Sequence, residues 1–249
     1  MKKILTAILA CVICVTIAAA ATGCGCQKSK KNNSNENSEN NKPGYTIVPT
    51  EPDFVSGSFG FYRLSQKELK VTKYTGTEKN VVIPSEVDGA KVTIIERSLF
   101  RKAEFESVTI PSSIYEIQDY AFAECKNLKE IVIPEGVENI GDSAFWNCSA
   151  LESVTLPTSL EKIGEYAFSA SGLRSVTIPS FKKLSTLPQY MFYQCFSLSE
   201  VTLPRTIAGI DGKDNNAFDE CSADLTIKAP KGSFGESLAK EKNYKFKEI

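Results

Sequence analysis

A sixteen-residue phrase occurs three times in succession, and this repetition restricts the possible fold more than any other feature of the chain. Its copies are IPSSIYEIQDYAFAEC at 110–125, IPEGVENIGDSAFWNC at 133–148 and LPTSLEKIGEYAFSAS at 156–171. Alignment on the phenylalanine extends the period to Phe100, Phe122, Phe145, Phe168, Phe192 and Phe218, which are 22 to 26 residues apart. A period in this range is typical of a solenoid, in which every coil contacts only its neighbours.

Each unit reads L-x-x-V-x-I-P followed by V-x-x-I-G-x-x-A-F-x-x-C, and most of these letters have a structural explanation. The apolar residues of the central unit are Leu128, Ile131 and Ile133, followed by Val137 and Ile140. The alternation at Ile131 and Ile133 predicts a short strand whose apolar side chains face inward. Pro134 ends that strand because it has no N–H for a ladder. Gly141 and its counterpart Gly164 favour a turn at positive φ, but Gln118 and Pro188 fill the same position in other units, so the turn does not depend strictly on glycine.

A single unit buries too few apolar side chains to offset the entropy lost on ordering its backbone, so it is stable only when stacked. Stacked coils share hydrogen bonds and cover each other's open faces. The repetition therefore indicates architecture, whereas a catalytic site would require a combination of residues that occurs once.

The recurring I-P-x-x-V-x-x-I-G-x-x-A-F-x-x-C phrase resembles the BspA-like leucine-rich repeats of bacterial surface lipoproteins, over roughly residues 59–249. The resemblance implies an α/β repeat fold, a parallel-sheet leucine-rich repeat solenoid with little helix that is capped at both ends. We accordingly assign residues 57–249 to a repeat domain, with an N-terminal cap at 57–80, about six repeats at 81–230 and a C-terminal cap at 231–249. The resemblance also implies a use in surface adhesion and protein binding.

The C-terminal segment carries signals for a short helix and a last strand. Ser233-Phe-Gly-Glu236 fits a capping box, in which the serine and glutamate side chains bond N–H groups of the first turn, and it predicts a helix through about Lys242. Tyr244-Lys-Phe-Lys then predicts an edge strand whose lysines discourage pairing with another chain.

Residues 1–23 have the features of a bacterial lipoprotein signal peptide. Two lysines precede an apolar run at 4–21, and small residues lead to Cys24, which we predict to be lipidated after cleavage. The alternative is an uncleaved anchor helix, for which the apolar run is just long enough. Residues 24–56 are polar and rich in Asn, Ser and Lys, so we predict a lipidated, disordered tether. The protein is then expected at the bacterial cell membrane, facing the extracytoplasmic side.

The composition excludes several classes of function. The chain has no histidine, which excludes Ser-His-Asp and Cys-His catalytic groups and every zinc site built on imidazole. Without the leader it has 27 basic and 30 acidic residues, and this balance argues against nucleic acid as a partner. Asp211–Asn216 is polar and acidic but lacks the spacing of an EF-hand loop. We therefore expect no metal, no cofactor and no catalytic role; a hydrolase that uses carboxylates alone is the less favoured alternative.

The cysteine slot of the repeat has two interpretations. It holds Cys125, Cys148, Cys195 and Cys221, with Ser171 between the second and third. Adjacent coils would bring neighbouring cysteines within disulfide range, giving 125–148 and 195–221 bridges in an exported protein. We favour a column of buried thiols, because the repeat sets the slot and stacked side chains run parallel. The repeat domain has no CxxC pair, which also argues against a metal site.

Aromatic residues on the outside of the repeat are the best candidates for a binding surface. Tyr120, Tyr166 and Tyr190 share a column two places before the phenylalanine, and Trp146 and Tyr193 share the position just after it. Large amphipathic rings are frequent interface anchors. The alternative is that they are only partly buried against neighbouring coils.

The outer face of the predicted sheet offers little specific chemistry. Its outward row is Thr109, Val132, Thr155, Thr177, Thr202 and Thr226, and threonine is common in strands for its own sake. A flanking row alternates in charge, with Glu106, Lys129, Glu152 and Arg174. We expect these charges to pair with each other, so that the face has no single-sign field to attract a charged partner.

These features predict a monomeric, lipid-anchored cell-surface repeat protein that binds a protein or glycan partner through the solenoid, in adhesion. The first alternative is a spacer or assembly factor of the envelope without a dedicated ligand. A carboxylate-only glycosidase would need two facing carboxyl groups in a cleft, whereas the predicted sheet disperses its acids among lysines and threonines.

Overall fold

Stacking of the six repeat phenylalanines organises the fold. The computed structural model describes residues 51–249, which belong to one compact unit. The rings of Phe100, Phe122, Phe145, Phe168, Phe192 and Phe218 form one interior file, with neighbouring centroids 5.1 to 5.8 Å apart and planes within 16° of parallel. Repeated positions thus lie one above another, and the predicted solenoid is confirmed.

The N-terminal end of the described chain is antiparallel. Strand β1 (Phe54–Ser56) pairs with β2 (Phe59–Ser65), and β2 pairs with β3 (Glu68–Tyr74). Because β1 belongs to this sheet, the predicted domain boundary at residue 57 is too late and the predicted tether does not extend to residue 56. The predicted leader, Cys24 and the tether up to residue 50 lie outside the described residues.

Each coil has three faces, and the first consists of short parallel strands. These are β4 (Asn80–Val82), β7 (Ser107–Thr109), β9 (Glu130–Val132), β11 (Ser153–Thr155), β13 (Ser175–Thr177), β15 (Glu200–Thr202) and β17 (Thr226–Ala229). The ladders pair β4 with β7, β9 with β11, and β15 with both β13 and β17. Each strand directs at least one apolar side chain inward, such as Ile131 and Val201, and this confirms the predicted inward positions.

The second face carries the second pair of inward apolar residues. Its strands are β5 (Glu86–Val87), β6 (Ala90–Ile95), β8 (Glu116–Ile117), β10 (Asn139–Ile140), β12 (Lys162–Ile163), β14 (Thr186–Leu187) and β16 (Gly209–Ile210). Strand β5 is antiparallel to β6, while β3, β6, β8, β10 and β12 form a continuous parallel order. Ile117 and Ile140 are fully buried here.

The third face is a turn that surrounds each phenylalanine and bonds to the next coil. The N–H groups of Tyr120, Phe122 and Glu124 donate to carbonyl oxygens of the following coil at 2.7 to 3.0 Å, while those of the residues between them return to their own coil. This alternation places Tyr120 and Glu124 in the left-handed region, at φ of 57° and 63°. Residues two places before and two places after most repeat phenylalanines repeat this geometry.

The predicted positive φ at Gly141 and Gly164 is wrong. Neither glycine is in the left-handed region, and Ser143 and Tyr166, two residues further on, take it instead. The glycines are needed for space: a Cβ at Gly141 would lie 2.4 Å from the amide nitrogen and from Oδ1 of Asp119. Close approach of the coils therefore selects glycine here.

A short helix and a last strand follow the coils, as predicted. Helix α1 (Phe234–Lys242) buries Leu238 and Ala239, and β18 (Lys245–Glu248) adds to β17 in parallel. The predicted capping box is wrong, because the Ser233 hydroxyl makes no cap hydrogen bond and the Glu236 carboxylate accepts the N–H of Gly232 at 2.6 Å. The Ser233 N–H already donates to the carbonyl of Pro230. That these terminal elements act as caps stays a prediction.

Candidate binding surface

Three of the five predicted aromatic residues lie together on the third face. Tyr166 and Tyr190 occupy equivalent positions of adjacent coils, each at φ 57°. Their rings stack with centroids 4.7 Å apart and planes 7° from parallel. The ring of Tyr193 meets both edge-on, at 6.4 Å from Tyr166 and 5.6 Å from Tyr190. We call these three residues the tyrosine cluster.

A carboxylate of the next coil fixes the outer ring of the tyrosine cluster. The hydroxyl of Tyr193 donates to Oε1 of Glu220 at 3.0 Å, and the amide of Gln194 donates to Oε2 of the same side chain at 2.9 Å. This hydrogen bond is the main reason that the pKa of Tyr193 is raised, while burial raises the pKa of Tyr166. The phenols of Tyr166 and Tyr193 are therefore neutral at pH 7 and act as hydrogen-bonding, amphipathic groups.

The other two predicted residues stand apart from the tyrosine cluster. Between Tyr120 and Tyr166 the column is occupied by Ser143, and between Trp146 and Tyr193 the equivalent position is the buried Ser169. Neither Tyr120 nor Trp146 makes a ring contact within the part of the chain that the structure describes. Both are half-buried, as are the three residues of the tyrosine cluster, so the missing ring contacts and not the burial set them apart.

Phe196 is an exposed aromatic residue that the sequence pattern did not single out. It follows Cys195 on the coil that carries Tyr190 and Tyr193, and 69% of it is exposed. The corresponding positions of neighbouring coils hold Lys126, Ser149, Gly172 and Ser222. A lone large apolar residue at a position that is otherwise polar or small is the signal that would have identified it.

The charged row of the first face pairs internally, as predicted. Glu106 accepts hydrogen bonds from Lys79 at 3.0 Å and Lys129 at 2.9 Å, and Arg174 donates to Glu152 at 3.1 Å. The two lysines lower the pKa of Glu106 to about 2. Such exposed pairs stabilise the sheet slightly and leave little net field for a ligand.

The predicted outward row is correct except at its last member. Strand pairing aligns Val82 with Thr109, Val132 with Thr155, and Thr177 with Thr202. Thr202 then pairs with Lys228, whereas Thr226 pairs with Glu200. Only one residue separates Leu225 from Ile227, where other units have two, so the last strand begins earlier.

The cysteine column consists of buried or half-buried thiols, the interpretation that the sequence favoured. Cys125, Cys148, Cys195 and Cys221 are all unbridged. Each Sγ donates to the carbonyl oxygen of the phenylalanine one coil earlier, at 3.0 to 3.2 Å. Among residues 51–249 no group of three or more Cys, Asp or Glu side chains is placed to hold a metal ion.

The repeat of this chain matches the model of a known protein family. That model describes the BspA type leucine-rich repeat region, and it matches residues 93–224, more than half of the chain, in six copies. The chain belongs to the BspA-type leucine-rich repeat family. The phenylalanine file and the cysteine column of this BspA-type chain lie within the matched segment. No curated protein matches the sequence.

One of the solved structures that resemble this chain supports the same repeat fold. The leucine-rich repeat protein of T. pallidum is 24% identical over 76% of this chain and 95% of its own, with a TM-score of 0.56. A leucine-rich repeat protein from Eubacterium ventriosum is 21% identical over 71% of this chain and 43% of its own, with a TM-score of 0.45. A leucine rich cell surface protein from Faecalibacterium prausnitzii is 18% identical over 71% of this chain and 75% of its own, with a TM-score of 0.28.

Within the described residues, no helix is long and apolar enough to cross a bilayer.

Proposed function

We propose that this BspA-type protein is a lipid-anchored cell-surface adhesin that binds a protein or glycan partner through the outside of its solenoid. The observation that carries the proposal is that repeated side chains and variable side chains occupy different parts of each coil. The repeated phenylalanine, cysteine and aliphatic side chains are buried in the core. Side chains that differ between coils lie outside, and there Tyr166, Tyr190 and Tyr193 gather into one cluster.

The tyrosine cluster has the properties of a protein-binding anchor. Its rings are held by mutual stacking and by Glu220, so binding would immobilise little that is not already ordered. Tyrosine supplies apolar area together with a hydrogen-bonding hydroxyl, the combination enriched at interface hot spots. The exposed Phe196 on the same coil adds apolar surface.

A matched pair of substitutions tests this role. Tyr190→Ser removes the central ring, and Tyr120→Ser removes the equivalent residue of a coil outside the tyrosine cluster. Ser143 occupies the same position at φ 55°, so the backbone accommodates serine in both variants. A soluble fragment of residues 47–249, which includes every described residue and lacks the leader, should bind saturably to one member of a panel of purified matrix proteins and mucins in biolayer interferometry. We expect Tyr190→Ser to weaken that binding at least tenfold and Tyr120→Ser to leave it within twofold.

Two results would contradict the proposal. Equal weakening by both variants would assign no special role to the tyrosine cluster. Absence of saturable binding to every member of the panel would favour the spacer or assembly factor instead.

Anchoring is the second part of the proposal and rests on the leader alone. Cys24 follows small residues after an apolar run, and a lipid on this residue would hold the solenoid at the outer side of the membrane. Since one acyl chain binds a bilayer weakly, we propose a lipid with more than one chain.

A further inference from the structure

A cleft with a polar lining lies at the N-terminal end of the solenoid. Its volume is about 870 Å³, within the range of small-molecule sites. The first residues of β8, β10 and β12, which are Glu116, Asn139 and Lys162, lie along its floor. We call it the N-terminal cleft.

The N-terminal cleft exists because β3 is longer than the strands of the repeats. Pairing between β3 and β6 ends at Val71 and Ile95, where the coil turns towards the third face. Strand β3 continues for three more residues, and Thr72 to Tyr74 line the cleft. Residues 96–99 also line it. The length of β3 is not set by the repeat, so this shape does not follow from a repeat position.

The polar groups of the cleft are held in place before any ligand arrives. The amide of Gln118 accepts the backbone N–H of Arg97 at 3.1 Å and donates to Glu116 Oε1 at 3.3 Å. The carboxylate of Asp119 pairs with the Arg97 guanidinium and accepts the N–H of Asp142 at 2.9 Å. Fixed hydrogen-bonding groups lower the entropy cost of binding.

The charges of the cleft nearly balance, because its lining has four carboxylates and three cations, which are Glu51, Glu96, Glu116 and Asp119 against Lys73, Arg97 and Lys162. Arg97 pairs with Asp119, and Glu96 pairs with Lys70 at 3.0 Å. A site of this kind offers many hydrogen bonds without a strong field of either sign. It therefore suits an uncharged polar ligand better than a phosphate or a strongly charged peptide.

Spacing along the floor distinguishes between uncharged polymers. Equivalent side chains on adjacent rungs are ~4.8 Å apart, close to the length of one sugar residue in an extended oligosaccharide. An extended peptide advances ~3.3 Å per residue and presents like side chains every second residue, so it falls out of step with the rungs. Leu99 and Pro52 add apolar surface to the lining, against which the C–H faces of sugar rings can pack.

We propose that the N-terminal cleft binds a neutral oligosaccharide that lies along the stack, one sugar per rung. Asn139 occupies the centre of the floor, and its side chain makes no hydrogen bond to any other described residue. Its amide is therefore available to donate to one sugar hydroxyl and accept from another. This site is separate from the tyrosine cluster.

Calorimetric titration of the soluble domain 47–249 with malto-, cello- and chito-oligosaccharides of increasing length tests the assignment. One series should bind, with an affinity that rises with chain length until the floor is filled and that is unchanged between low and high salt. Asn139→Ala should weaken binding at least tenfold. Thr186→Ala, which alters the equivalent position two coils further on and outside the cleft, should leave it within twofold, as should Tyr190→Ser.

The outcomes separate this assignment from the proposed function. Binding that survives both Asn139→Ala and Gln118→Ala, or that occurs only with sulfated oligosaccharides and disappears in salt, would overturn it. Failure of every neutral series to bind would also overturn it and would leave the tyrosine cluster untouched. Circular dichroism of each variant establishes that the domain is folded.

Discussion

The thiol of Cys148 donates a hydrogen bond to the carbonyl oxygen of Phe122, one coil earlier, over 3.1 Å. The same oxygen accepts the N–H of Cys125, so one repeat residue of each coil is tied to two successive cysteines. The cysteine slot is thus a hydrogen-bond position between coils, in addition to a small apolar space.

Replacing Cys148 separates these two roles. Cys148→Ala removes the donor and should lower the free energy of unfolding by about 1–3 kcal/mol. Cys148→Ser keeps a donor and should cost less, because Ser171 occupies the same slot one coil further on and its hydroxyl contacts Cys195 Sγ at 3.3 Å. Urea denaturation of the soluble domain measures both; a serine variant no more stable than the alanine variant would contradict the hydrogen-bond role.

The loss of stability when Gly141 is replaced should come from steric overlap and not from backbone conformation. Gly141→Ala places a Cβ against the Asp119 backbone and carboxylate, and we expect a loss of about 1–3 kcal/mol from overpacking. The control is Gly209→Ala, where the nearest atom to an added Cβ is Cγ2 of Thr186 at 3.8 Å. Thermal unfolding should separate the two variants, and equal melting temperatures would refute the steric explanation.

The Lys79–Glu106–Lys129 triad should make stability depend on acid pH. The pKa of Glu106 falls from 4.5 in the unfolded chain to about 2 in the folded protein. Its contribution is therefore present above pH 4.5 and is lost as the pH falls through about 2. We expect Glu106→Gln to be slightly less stable than the wild type at pH 7, with the difference vanishing near pH 2 and shrinking in high salt.

Melting curves of both proteins between pH 2 and 7 provide the measurement. Since Glu106 is exposed, the gap will be small and needs repeated scans. A gap that stays constant across this range would show that the triad does not act through the ionised carboxylate.

Lipidation of Cys24 predicts that the protein partitions with membranes and that a variant without this cysteine does not. When the full chain is expressed in a bacterium with lipoprotein processing, wild-type protein should incorporate an alkyne-labelled fatty acid and sediment with membranes. Cys24→Ala should lose the label, and Cys26→Ala should keep it. Label retained by the Cys24 variant would instead point to Cys26 or to another anchor.

The periodic part of the fold was predictable because each repeated letter reports a position inside the stack. Phe122, Phe145 and Phe168 are found in one file for that reason, and the inward aliphatic pairs follow from the same alignment. The left-handed residues were not predictable, because Tyr120 and Tyr166 lack the glycine that usually marks positive φ. Hydrogen bonds to the next coil stabilise that conformation, and a single coil does not reveal them.

The candidate sites were less accessible to sequence reasoning for a different reason. The columns of Tyr166, Tyr190 and Tyr193 could be aligned. Which rings are in contact, however, depends on Ser143 and Ser169, which occupy the equivalent positions of the coils in between. The N-terminal cleft depends on the length of β3, which lies before the first repeat. Both sites depend on residues that depart from the repeat period, and a sequence alignment does not show where such residues lie in the structure.

The regular spacing of the phenylalanine file sets how far apart two recognition surfaces can lie. Phe122, Phe145 and Phe168 stack at the same 5.1 Å, so the coils between them are interchangeable. Inserting one further coil would displace the tyrosine cluster from the N-terminal end by one rung, about 4.8 Å, with both surfaces chemically unaltered. The distance between the two surfaces can therefore change only by whole coils. A partner that contacted both surfaces would select for a particular number of coils.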